Sequence, residues 1–196
     1  MKRIFDLFFS FSALFFLPPL FVVVSILIKF DSQGSIIFKQ SRVGYKGKRF
    51  YLYKFRTMAK DAGKKGIKLT SSHDSRITKI GRLLRKYKID EIPQLINVLK
   101  GEMSFVGPRP EVPEYVELFR KDYDYILNAK PGITDFASIK FRDESKLIKN
   151  SENAEDIYIK EILPQKIELN KKYIKERSFS LDIYLIFLTL FYLFKK

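Results

Sequence analysis

The chain of 196 residues has no cysteine, no tryptophan and one histidine, His73. Without cysteine there is no disulfide, no thiolate metal site and no thiol nucleophile. The absence of thiols fits a reducing compartment. A single histidine excludes a His-rich metal centre and leaves a Ser-His-Asp triad without support. Acidic residues are scarce in one region: residues 39–88 hold 17 Lys and Arg against only Asp61 and Asp74. The formal charge of +15 lies in that stretch, because the remainder carries 20 bases and 20 acids. Such a surface attracts phosphates, whether of nucleic acid, lipid headgroups or a phosphorylated small molecule.

Charge is absent altogether from Leu7 to Ile28, a run of 22 residues. As one straight helix it would measure about 33 Å, enough for a bilayer core. It has no small-residue cleavage site, so it reads as a retained membrane anchor. Pro18 and Pro19 interrupt its centre; each lacks an N–H and crowds the preceding turn, so the segment must bend there. Lys2 and Arg3 precede it, and Lys29, Lys39 and Arg42 follow it. Basic flanks on both sides allow a re-entrant helix-break-helix with both ends on one face, and a kinked single span stays equally open. Near the other end, Ile183 to Phe194 is a twelve-residue uncharged stretch rich in aromatics. It is too short to span, which leaves an interfacial helix or a buried core helix.

Between these segments the pattern predicts a small α/β, mostly helical, membrane-associated domain with a minor β-hairpin. Three parts are expected: an anchor at 1–30, a catalytic domain at 31–182 and an interfacial helix at 183–196. Ser35–Lys39 and Arg49–Phe55 read as strands around a Gly44–Gly47 turn, and Asp61–Ser72 as a loop. Thr78–Lys88 reads as a helix with Ile80, Leu83, Leu84 and Tyr87 on one face. Pro93 suits the first position of a further helix through Leu99, closed by Gly101. Pro113–Asn128 is predicted as one helix, Ile133–Phe141 as irregular or strand, and Ala154–Arg177 as a helix open to a break at Pro164.

The chemistry concentrates at Asp90 and Glu91. This acidic pair follows Arg82, Arg85, Lys86 and Lys88, and precedes the Pro93 helix, whose free amides favour negative charge. Flanking cations are expected to keep both carboxylates ionised. Arg109 stands between Pro108 and Pro110, which hold its backbone for a bidentate grip on phosphate. Two carboxylates beside bound phosphates call for a divalent cation, and Mg²⁺ is the natural one. The residues therefore point to phosphoryl transfer, with a carboxylate attacking or deprotonating.

The chain resembles the monotopic phosphoglycosyl transferases, bacterial sugar transferases that start glycan assembly on polyprenyl phosphate. The resemblance rests on KRIFD (2–6), QSRVG (40–44), KFRTM (54–58), DSRITKIGRLLRK (74–86), DEIPQLINVLKGEMSFVGPRP (90–110) and KPGIT (130–134). It implies a re-entrant anchor at the cytoplasmic face of the bacterial inner membrane, with Leu17-Pro18-Pro19 standing where the family pattern has Ser-Pro. It also implies transfer of a sugar 1-phosphate from a UDP-sugar to polyprenyl (undecaprenyl) phosphate, releasing UMP. Carried over, Asp90 is the nucleophile and a Mg²⁺ ligand, and Glu91 assists at the metal or in proton handling. Arg85 and Arg109, with Lys54 and Arg56, contact phosphates, and Lys2 and Arg3 sit at the headgroup boundary. Nucleic acid is not an expected partner. The competing class is a membrane-tethered basic protein that binds nucleic acid or anionic lipid without catalysis, using Tyr45, Phe50, Tyr51, Tyr53 and Phe55 among its cations.

Overall fold

A computed structural model describes residues 1–59, 74–144 and 153–194. The predicted loop at 61–72 lies outside the described residues.

The apolar N-terminus forms two helices, α1 (Lys2–Phe16) and α2 (Pro18–Asp31), bent by 62° at Leu17. The cause is local. Pro18 and Pro19 occupy the first turn of α2, where a missing N–H costs no helical bond. Among the described residues no single helix is long and apolar enough to cross a membrane, although this bent pair passes that test together. Phe8, Phe11, Phe15, Phe16, Val22 and Phe30 are exposed along it.

The base of the pair is fastened to the body by charge. Lys2 Nζ donates to Val106 O and Tyr173 Oη, both at 2.8 Å, and pairs with Asp182 at 2.7 Å. Arg3 donates to the carbonyls of Val98 and Leu99, at the C-terminal end of α4 (Gln94–Lys100), where positive charge is favoured. The buried Asp6 carboxylate accepts from Ser104 Oγ and the Phe105 amide, each at 3.1 Å. Lys2 and Arg3 thus hold α1 against the body.

At the far end of α2, Arg56 Nη2 donates to Ser32 O at 2.6 Å and to its Oγ at 3.0 Å, capping the helix terminus. Asp31 accepts from the Ile80 amide at the start of α3 (Lys79–Lys86), and Thr78 caps the same helix. Val24 and Ile28 pack with Phe55 and Leu84 beneath.

The hairpin pairs β1 (Ile37–Val43) with β2 (Arg49–Phe55), Ile37 opposite Phe55 and Val43 opposite Arg49. The first strand is displaced from Ser35–Lys39, starting two residues later and running on to Val43, because backbone pairing with β2 carries it through the polar Gln40, Ser41 and Arg42. The second has the predicted bounds. In α3, Leu84 is buried but Leu83 and Tyr87 are exposed, so its apolar face is narrower than the spacing indicated. A short parallel pair, β3 (Ser104–Val106) and β4 (Gly132–Thr134), was not foreseen. It needs glycine twice: a Cβ at Gly132 would meet Gly107 N at 2.1 Å, and one at Gly107 would meet Lys130 O at 2.3 Å.

The expected helix Pro113–Asn128 is two, α5 (Pro113–Leu118) and α6 (Arg120–Ile126). Phe119 leaves helical dihedrals between them and packs on the main core. After β4 comes α7 (Phe136–Lys140). The Ala154–Arg177 segment is α8 (Ala154–Ile157), a π-helical turn (Tyr158–Ile162) and α9 (Leu163–Glu176). Pro164 cannot donate to the carbonyl four residues before it, and the chain widens to a π turn just ahead.

The last helix, α10 (Phe179–Phe194), begins four residues before the predicted boundary. Leu185 is fully buried in the main core, while Tyr184, Phe187, Leu190 and Phe191 are exposed. A wholly buried core helix is therefore excluded.

Candidate active site

Asp90 and Glu91 lie in a 3₁₀ turn (Ile89–Glu91) between α3 and α4. Lys88, in left-handed conformation with φ 56°, turns the chain inward there. Pro93 then starts α4 without donating an amide, and Gly101 (φ 80°) ends it as the sequence predicted.

The two acids have opposite surroundings. Glu91 is clasped on both oxygens: Lys54 Nζ donates to Oε1 at 2.9 Å, and Arg109 forks across Oε1 and Oε2 at 2.5 and 3.2 Å. Burial pushes its pKa up, but Arg109 and Lys54 prevail and hold it well below the usual carboxylate range. Asp90 is buried at 6% exposure, and its Oδ1 has no hydrogen-bond partner among the described residues. Burial first, then the Glu91 charge, push its pKa up against the pull of Lys54, Lys88 and Arg85. For Asp90, burial and the Glu91 charge thus outweigh the flanking cations, an opposition that residue order alone did not show. The cations are perturbed in turn. Burial lowers the Lys54 ammonium, and Glu91 raises the Arg109 guanidinium.

Arg85 belongs to the same field. Its Nε donates to Thr57 Oγ1 at 2.8 Å, and its charge acts on both Asp90 and Glu91. Arg56 is placed elsewhere: its partners are at the end of α2, so it supports the anchor and not the acidic pair. Lys54, Arg85 and Arg109 are brought together around the turn.

Asp135 was missed by the sequence reading. Fully buried, it caps α7 by accepting from the Ser138 amide at 2.6 Å, and its Oδ2 accepts from the Arg109 amide at 3.2 Å. The backbone of Arg109 is thus held by an acid 26 residues away, as well as by its flanking prolines. The available signal was local: Asp before a short helix, three residues ahead of Ser138, is an N-cap pattern. Gln94, at the start of α4, was missed too; it is buried and its Nε2 has no partner among the described residues.

The orphaned Asp90 oxygen fits a hard cation. Among the described residues no group of three His, Cys, Asp or Glu side chains could hold a metal. With Glu91 committed to two cations, Asp90 is the carboxylate left to bind one. Mg²⁺ suits so sparse a protein contribution, since it keeps waters and takes phosphate oxygens.

With this geometry in view, comparison with known proteins is specific. The family model described as bacterial sugar transferase matches residues 1–196, and the chain belongs to that family. It is 35% identical, over 97% of its length, to the UDP-N-acetylgalactosamine-undecaprenyl-phosphate N-acetylgalactosaminephosphotransferase of Aeromonas hydrophila. It is likewise 35% identical, over 97% of its length, to the UDP-glucose:undecaprenyl-phosphate glucose-1-phosphate transferase of Escherichia coli K12. The chain spans 43% and 39% of the lengths of these two relatives. An uncharacterized sugar transferase of Bacillus subtilis is 39% identical over 96% of the chain and 85% of its own length.

Asp135→Ala leaves two amides without an acceptor and removes a cap. It should destabilise the protein by about 2–4 kcal/mol, and Asp135→Asn, which keeps one acceptor, by about half of that. Thermal unfolding in detergent measures both; equal losses would contradict the two-bond role.

Proposed function

We propose that the chain transfers a sugar 1-phosphate from a UDP-sugar to polyprenyl (undecaprenyl) phosphate, releasing UMP, through a covalent phosphosugar on Asp90. The work is done at the cytoplasmic face of the bacterial inner membrane. The observation that carries the reading is the split between the two acids, Glu91 clasped by Arg109 and Lys54 while Asp90 is buried with an oxygen that has no partner among the described residues. The activities for which the two relatives are named support the donor and acceptor classes.

In the first step an Asp90 oxygen attacks the sugar-bearing phosphorus of the donor. The bond from that phosphorus to the bridging oxygen breaks, and UMP departs with the bridging oxygen. In the second, a phosphate oxygen of the polyprenyl phosphate attacks the same phosphorus. The acyl phosphate bond to Asp90 breaks, the carboxylate is regenerated, and a polyprenyl diphosphate sugar leaves. A covalent relay lets a soluble donor depart before a lipid acceptor uses the same small site. Lys54, Arg85 and Arg109 offset the phosphate charge that would repel an attacking carboxylate. Mg²⁺ held by Asp90 would add to that neutralisation. Glu91, with its lowered pKa, is a poor proton acceptor; its part is to hold Arg109 and Lys54 in place. The apolar helices carry the site to the lipid, the bent pair entering and leaving one leaflet and α10 lying along the interface.

Two measurements test this. Asp90→Asn should lower UMP release from UDP-sugar and polyprenyl phosphate by at least about a thousandfold; a non-catalytic anion binder would keep its binding. Because Asp90 must be ionised to attack and its pKa is raised, activity should fall on acidification at a midpoint above the ordinary 3.8. Lys54→Gln removes an opposing cation and should move that midpoint higher; a downward move would count against the assignment. For the anchor, single cysteines replacing Lys2 and Gly34 should both be labelled from the cytoplasmic side, and labelling from opposite sides would refute the re-entrant path.

A further inference from the structure

Beside the phosphate site lies a cavity of about 840 Å³ with Arg109 in its wall. Its volume is within the range of small-molecule sites. Its chemistry differs from that of the Asp90 side. Among the described residues its lining includes four cations and four carboxylates, whereas Lys54, Lys88, Arg85 and Arg109 all act on the acidic pair. An electrically balanced wall that sets polar edges beside apolar surface suits a neutral ring with apolar faces and a hydroxylated rim, not a second phosphate.

The wall is a continuous chain of polar bonds. Arg42 Nη1 donates to Glu111 Oε1 at 2.8 Å, and Tyr158 Oη donates to Glu111 Oε2 at 2.7 Å. Lys166 reaches Tyr158 Oη at 3.4 Å and pairs with Glu144 at 2.5 Å. Arg42, Glu111 and Lys166 side chains are 17%, 12% and 12% exposed, so each is fixed by its neighbours yet retains an accessible edge. Buried Arg42 Nε still lacks a partner among the described residues. Among the described lining residues no ring face is offered for stacking a nucleobase, because Tyr115 and Tyr158 are buried against each other with centroids 5.1 Å apart.

We infer that this cavity receives the sugar ring of the donor, with Glu144 and Lys166 reading its hydroxyl and N-acyl substituents while Arg109 marks the boundary to the phosphates. The inference rests on the transferase reading above and adds where sugar identity is decided. Nothing in the adjacent amino-acid pattern announced it: Arg42, Glu111, Glu144 and Lys166 come from four separate parts of the chain.

The test uses the full chain in detergent or nanodiscs with UDP-glucose and UDP-N-acetylgalactosamine, compared by kcat/KM for UMP release. Glu144→Gln and Lys166→Gln should each change the ratio between the two sugars by about tenfold or more, leaving inhibition by UMP within about twofold. Ser41→Tyr keeps every ion pair and fills the cavity from β1, where tyrosine suits the strand. It should lower use of the N-acetylated sugar by about tenfold more than that of glucose. An unchanged sugar ratio with weakened UMP inhibition would give the cavity to the nucleotide and overturn the inference. Unchanged ratio and inhibition in all three folded variants would overturn it as well. Failure of the wild-type chain to release UMP from any UDP-sugar would bring down the transferase reading itself, a result distinct from wild-type turnover with an indifferent cavity.

Discussion

The clasp on Glu91 is the constraint from which the rest follows. One carboxylate takes both arms of Arg109 and the ammonium of Lys54, so its charge is compensated and both its oxygens are engaged. Removing one partner would leave a carboxylate only 11% exposed short of its counter-charge, which makes the clasp a rigid reference point. Its neighbour in the same 3₁₀ turn is denied those partners. Asp90 is buried, bordered by a like charge and left with one oxygen unpaired among the described residues. A carboxylate so placed is destabilised before any substrate arrives, and incoming cationic or electrophilic groups relieve it.

The same strand that supplies the clasp also holds the apolar helices. Lys54 reaches Glu91, Phe55 packs on Phe21 of α2 with ring centroids 5.0 Å apart, and Arg56 caps the end of α2. Three consecutive residues therefore register the acidic pair against the bent helix pair. At the other end, Lys2, Arg3 and Asp6 fasten α1 to β3, α4 and α10. These short polar contacts fix the acidic pair relative to the two apolar helices, whose large side chains include many that are exposed.

Much of this was legible from residue order because the determinants are local. The Pro-broken apolar run, the Arg49–Phe55 strand, the Gly101 stop and the acidic pair ahead of Pro93 each depend on neighbours within a few positions. Contacts across long separations were not legible. Arg109 looked like a free phosphate ligand, and only its meeting with Glu91 and Asp135 shows that its guanidinium and its amide are both anchored. Arg56 belonged by charge to the phosphate group, and folding assigned it to the α2 terminus. Phe119 split a regular helical pattern because tertiary packing outweighed propensity there. Burial could not be read from composition, and so neither could the upward shift of Asp90 just beyond a stretch of +15.

The central claim is that the Asp90 carboxylate carries the phosphosugar between donor and lipid. The most direct measurement is peptide mass spectrometry of the protein incubated with a UDP-sugar and Mg²⁺ but no polyprenyl phosphate. The account predicts a mass increase equal to one sugar phosphate on the peptide containing Asp90, lost on adding the lipid acceptor. Full turnover with no adduct there, or an adduct on any other residue, would contradict it.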